Sequence, residues 1–169
     1  MRKSIIAILM TFCLSIMTYA QTPRDRATEL KEQAQSSLNQ KDYIKARYLF
    51  KKAYEAFATR ENYPQAIECG VQANALYVRE NFYKEGFELC RDMDQLIWAG
   101  EQNQKKVFYD LRFLVNKERL QMYMALKNPV QAKTQLNKLE KTANLAKNDS
   151  LTEVLLYTKA NYYYTFNQN

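Results

Sequence analysis

The residue types that most often do chemistry are thinly spread along this chain. Histidine is absent from all 169 positions. That removes Ser-His-Asp and Cys-His nucleophile systems, histidine zinc sites and a phospho-accepting histidine. The three glycines, Gly70, Gly86 and Gly100, are isolated from one another, so no phosphate-cradling loop of the P-loop or dinucleotide type can form. Carboxylates do come in pairs, Glu85 with Glu88 and Asp92 with Asp94, and glycoside hydrolysis needs two. Lys84 and Arg91 stand beside them, at the spacing of the wet face of a helix. The reading is a protein that is not an enzyme and carries no cofactor or metal.

Three smaller features each admit two readings. Cys69 and Cys90 invite a disulfide in an oxidising compartment. The helix register developed below puts them on neighbouring antiparallel helices about one turn out of level, roughly 5 Å. That offset strains the short Cα separation of a bridge, and two buried thiols acting as small apolar side chains are the alternative. Asn148-Asp149-Ser150 fits an N-glycosylation sequon, and Asp149-Ser150-Leu151 looks like an O-glycosylation motif of some periplasmic proteins. Helix capping by Ser150 explains the same residues. Tyr162-Tyr163-Tyr164 suits either a stacking platform or core packing. Three consecutive residues cannot share one face at 100° apiece, so one ring must seek a partner beyond the preceding helices.

The first 20 residues have the layout of a secretory signal peptide: Arg2 and Lys3, an uncharged apolar run from Ile5 to Met17, then Thr18-Tyr19-Ala20 before Gln21. An uncleaved anchor is the other possibility, although the run is shorter than the ~20 residues a spanning helix needs. Phe12 before Cys13 excludes the usual lipoprotein cysteine. Export to a bacterial periplasm is the expectation that follows. Without Arg2 and Lys3 the chain carries 23 basic and 18 acidic residues. Residues 21–104 are balanced at 12 and 13, whereas residues 105–169 carry 11 basic and 5 acidic groups. Those lysines (Lys127, Lys133, Lys138, Lys141, Lys147) are scattered in sequence, which reads as a solvated helix face and not as a nucleic-acid surface.

The elements that position all of this are helices. Only three glycines and three prolines interrupt the chain, and no β-branched runs with tight glycine turns occur. The fold class is all-α. In residues 41–57, Tyr43, Ala46, Phe50 and Ala53 recur at spacings of 3, 4 and 3, one helical stripe. Leu30, Ala34 and Ser37 hold the packing positions of a helix just upstream. The pattern returns as Tyr83, Gly86, Cys90 and Met93, preceded by Ala73, Asn74 and Tyr77. It returns again as Pro129, Ala132, Leu136 and Leu139, preceded by Leu120 and Tyr123. The last stretch supplies Leu156, Ala160 and Tyr163, with residues 167–169 as the turn. Turn anchors at 43, 83, 129 and 169 imply periods of 40, 46 and 40. Seven helices are predicted, near 24–40, 43–59, 63–80, 83–98, 104–127, 129–146 and 150–166. Thr22-Pro23 starts the first, Asn62 with Pro64 and Asn128 with Pro129 start two others, Gly100 ends the fourth, and Ser150 to Glu153 form a capping box for the last.

Over about residues 27–169 these stripes resemble the tetratricopeptide repeat, and the first repeat matches closely. Gly70 and Asn116 depart from it where a large aromatic is usual, and Pro129 replaces the turn tyrosine. The resemblance implies a right-handed α-solenoid of about three and a half helix pairs over residues 21–169; an irregular helical bundle is the alternative. It also implies a concave face of first-helix residues that binds a protein or peptide, here Glu68, Gln72, Asn74, Arg112, Lys117 and Arg119. A signal peptide ahead of long, divergent repeats is similar to the extracytoplasmic part of bacterial sensor histidine kinases and of regulators with helix-turn-helix output domains. That implies a sensory segment of a larger signalling protein, joined to a membrane only through a later span or an uncleaved signal sequence. A stand-alone periplasmic adaptor is the alternative. Leu156, Ala160 and Tyr163 mark a packing face that awaits a further helix, since ten of the 16 residues from Leu151 to Phe166 are apolar or aromatic.

Overall fold

In the computed structural model, which describes residues 25–167, helix formation starts at Asp25, whose carboxylate accepts the N–H of Ala27 at 3.1 Å. Seven helices and no strand make up the described residues. They are α1 (Arg26–Asn39), α2 (Tyr43–Ala58), α3 (Tyr63–Arg79), α4 (Tyr83–Gln104), α5 (Tyr109–Ala125), α6 (Pro129–Ala146) and α7 (Asp149–Phe166). Each packs on the next in chain order, and α3 also touches α5, as α5 touches α7. The signal-peptide reading of residues 1–20 and the Thr22-Pro23 start lie outside the described residues.

Four of the connections are one turn repeated. After α1, α2, α3 and α5 a residue adopts a left-handed conformation: Lys41, Glu61, Asn81 and Lys127, with φ between 52° and 63°. Its N–H bonds three residues back and the next N–H five residues back, as in Lys41 to Leu38 and Asp42 to Ser37. These bonds satisfy carbonyls the helix end would leave open. In three of the four turns the next residue is Asp or Asn and caps the following helix: Asp42 accepts from Lys45, Asn62 from Gln65 and Asn128 from Gln131. The fourth has Phe82, which makes no side-chain cap. One short connection thus closes a helix and opens the next, which forces the chain to reverse.

Three predicted boundaries move. Gly100 does not end α4; the helix runs on to Gln104 and closes with Lys105 in the left-handed region (φ 50°). Gly100 instead lets helix and rings approach, because a Cβ there would sit 2.8 Å from Phe108 and 3.0 Å from Tyr63. The following helix begins at Tyr109 and not near 104, with the Phe108 N–H taken by the Glu101 carboxylate at 2.9 Å. The last helix is capped by Asn148, which accepts from Ser150 at 3.0 Å, so no capping box forms around Ser150.

The spaced small and large residues are interior. Ala46, Phe50 and Ala53 of α2, Gly86, Cys90 and Met93 of α4, and Ala132, Leu136 and Leu139 of α6 are all buried. Tyr43 and Tyr83 are half-buried, while Pro129 is exposed at the start of its helix. Two apolar clusters result, and α5 joins them. Val115 and Met122, seven residues apart, enter the cluster built from α1 to α4. Phe113 and Leu120, on another side of α5, enter the cluster shared with α6 and α7. Cys69 and Cys90 are both buried and free.

Candidate functional site

The residues read as a concave binding face divide into two groups. On α3, Glu68 and Gln72 are one turn apart and exposed. Lys31 of α1 reaches across to Glu68 and to Gln65, at 2.8 Å each, and ties the two helices on that side. The other four are held inside the fold to differing degrees. Asn74 is fully buried, not exposed; its amide donates to Glu118 of α5 at 3.2 Å. A side chain with no accessible surface cannot meet a partner, so Asn74 is a strut between helices. Lys117 pairs with Glu118 at 3.3 Å. Arg119 donates to the Cys90 carbonyl at 2.9 Å and to Asp94 at 2.6 Å. Arg112 holds Glu101 through both its Nε (2.7 Å) and a terminal nitrogen.

Electrostatics follow from these pairings. The hydrogen bond from Arg112 keeps the Glu101 carboxyl below the ordinary glutamate range, burial opposes this, and the Phe108 N–H assists. Burial pushes the Cys69 thiol up to about 11 and the Cys90 thiol up to about 12. At neutral pH both are thiols and weak nucleophiles. The paired carboxylates behave as helix-surface charges: Asp94 is spoken for by Arg119, and Glu85, Glu88 and Asp92 border a niche of about 90 Å³ beside Lys51 and Tyr77. A larger cleft of about 530 Å³ lies where Pro64, the α4–α5 connection and Ala146 come together.

The most distinctive surface is on α7. Leu155, Thr158 and Tyr162 are buried against the body of the protein, and Tyr162 packs on Phe166 with centroids 5.1 Å apart. On the opposite side Leu156 is 62% exposed, Tyr163 44% and Ala160 exposed as well. Tyr157 and Tyr164, 70% and 69% exposed, widen the same arc. The run of three tyrosines is therefore split by the helical turn: one ring in the core, two outside. Tyr157 and Tyr164 escape notice as surface residues when only the 3-4 stripe is followed; stepping 100° per residue around α7 places them beside it.

Register gives the stripe its meaning. Positions 30, 34 and 37 on α1 become 70, 74 and 77 on α3, then 116, 120 and 123 on α5, then 156, 160 and 163 on α7. Leu30, Ala34, Ser37, Gly70, Asn74 and Leu120 are buried, and Tyr77, Asn116 and Tyr123 are half-buried. In each of those helices a following helix packs alongside (α2, α4 and α6). Only on α7, among the described residues, does the stripe face outward. No described helix is long and apolar enough to cross a membrane. Set against protein-family models, curated proteins and solved structures, the chain matches none of them.

Proposed function

We propose that this chain is an extracytoplasmic helical-repeat interaction segment, a tetratricopeptide-like right-handed solenoid that works as the sensory part of a larger signalling protein. The carrying observation is the outward stripe of Leu156, Ala160 and Tyr163 on α7, at the register that a neighbouring helix covers on α1, α3 and α5. A large apolar side chain left in water forgoes roughly 1.5–3 kcal/mol, so two such side chains around a small alanine favour an amphipathic helix as occupant. Alanine at the centre lets that helix approach closely, while the flanking Leu156 and Tyr163 fill its grooves. No catalytic step is assigned to any residue.

A second reading, a stand-alone periplasmic adaptor that grips a peptide on its first-helix face, has Glu68 and Gln72 in its favour, both exposed along α3. A photo-crosslinking amino acid placed at position 160 or at position 72, in the protein produced in its own cell, separates the two. A discrete adduct from 160 with none from 72 supports the α7 seat. An adduct from 72 alone moves the partner to the first-helix face, and silence at 160 under all growth conditions contradicts the proposal.

A further inference from the structure

Ion pairing inside the fold sorts the basic residues of the C-terminal half into two sets. Arg112, Lys117, Arg119 and Lys159 are matched with Glu101, Glu118, Asp94 and Glu140. Lys127, Lys138, Lys141 and Lys147 have no such partner among the described residues, and Lys133 only borders the Tyr162 ring, 5.8 Å from its centroid. All five are exposed, and all lie on α6 or at its two ends. The one carboxylate of α6, Glu140, is turned to α7 and neutralised there by Lys159 at 2.8 Å. At 100° per residue Lys133, Lys141 and Lys138 share an exposed arc of about 140°, with Lys127 and Lys147 at the two ends of a helix about 27 Å long. The nearest acidic residues in sequence are Asp149 and Glu153, both exposed on the first turn of α7.

We propose that the outward face of α6 is a docking surface for an anionic phospholipid bilayer. Charge complementarity is the first argument: five ammonium groups and no exposed carboxylate on the same helix face. The kind of cation is the second. Both arginines of this half, whose forked geometry suits fixed carboxylate partners, are committed to internal pairs, and only lysines are left outside. A compact, hydrated charge on a flexible stem suits a diffuse negative surface better than an oriented acidic peptide. Exposed apolar residues are the third. Val130 (72%), Leu126 and Leu145 sit among and beside the lysines, where they can enter the headgroup layer as the lysines approach it. Near the far end, the cleft that Ala146 borders is lined by both Lys106 and Asp110, so the positive face ends at the helix terminus.

The test is co-sedimentation of the full chain with vesicles of phosphatidylglycerol mixed into phosphatidylcholine, and with vesicles of phosphatidylcholine alone. Any contribution from the N-terminal run, with its Arg2 and Lys3, is the same in the parent and in the lysine variant below and cancels in that comparison. Binding to the anionic vesicles should be stronger, and should weaken as salt shortens the screening length. A Lys127→Gln, Lys138→Gln, Lys141→Gln variant should lose roughly a hundredfold in partitioning to the anionic vesicles, at about fivefold per lysine, with unchanged helical circular dichroism. Equal binding to the two lipids overturns the proposal, as does a variant that binds like the parent. Salt-sensitive binding to polyglutamate without binding to the anionic vesicles also overturns it and gives the face to an acidic protein.

Discussion

Glu118 is 1% exposed, and its carboxylate is shared between the Asn74 amide at 3.2 Å and the Lys117 ammonium at 3.3 Å. A charge so deep in the protein persists only because both partners are in place. Glu118→Ala removes the acceptor, strands the buried Asn74 amide and opens a cavity, so it should destabilise by about 2–4 kcal/mol in urea denaturation. Glu118→Gln, which keeps an oxygen for Asn74, should lose less. Glu101 makes the corresponding prediction for pH. Its folded-state pKa is depressed by Arg112 and the Phe108 N–H. Its pairing therefore stabilises the fold above the ordinary glutamate pKa of about 4.3, and that contribution fades as pH falls through this range toward the lower folded-state value. Glu101→Gln should be less stable at neutral pH and should lose part of the acid-induced decline that the parent shows in urea midpoints between neutral and acidic buffer.

Between residue and molecule, the helices carry most of what can be read in advance. Stripes of small and large residues at 3-4 spacing located seven helices because burial, which selects those residues, acts at the helical period. Boundaries were harder, and α4 shows why. A glycine after an apolar stretch signals either a left-handed helix end or a close approach, and the two cannot be told apart without the neighbour. Gly100 proves to be the second kind, against Tyr63 and Phe108, while Lys105 supplies the left-handed residue. Gly100→Ala should destabilise by about 1–3 kcal/mol, since two aromatic rings must give way. Gly70→Ala should be milder, because the nearest obstacle is the flexible tip of Met93. The repeated turn offers the opposite change. Lys127 holds φ at 52° with a Cβ that disfavours it. Lys127→Gly should gain a few tenths to about 1 kcal/mol, a rise of roughly 1–3 °C in Tm. For the candidate face, sequence could place Asn74 on the right helix stripe but not weigh the charge across from it. Its partner Glu118 lies 44 residues away, and only packing of α3 on α5 brings them together.

For the molecule as a whole, two outward helix faces differ in character. The outward face of α6 is cationic, with exposed Val130 and Leu145 among its lysines, the pairing proposed to suit an anionic bilayer. The outward face of α7 carries its exposed acidic charge, Asp149 and Glu153, only in the first turn, and beyond it presents the residue types of a helix seat. The nearest internal precedent for that seat is α1, where Leu30 and Ala34 occupy the positions of Leu156 and Ala160 and are covered by α2. The central claim, that α7 offers an unfilled seat of the same kind, is therefore open to a direct trial. A second copy of α2 can be joined behind α7 through a three-residue connection like that between α1 and α2. Amide hydrogen exchange is then followed in the parent, in the extended chain, and in the extended chain with Ala160→Glu. The account predicts that the added helix slows exchange across α7 by tenfold or more, given ~1.5–3 kcal/mol for each large apolar group newly covered. Ala160→Glu should cancel that protection. Exchange across α7 that is the same with and without the added helix would contradict the account.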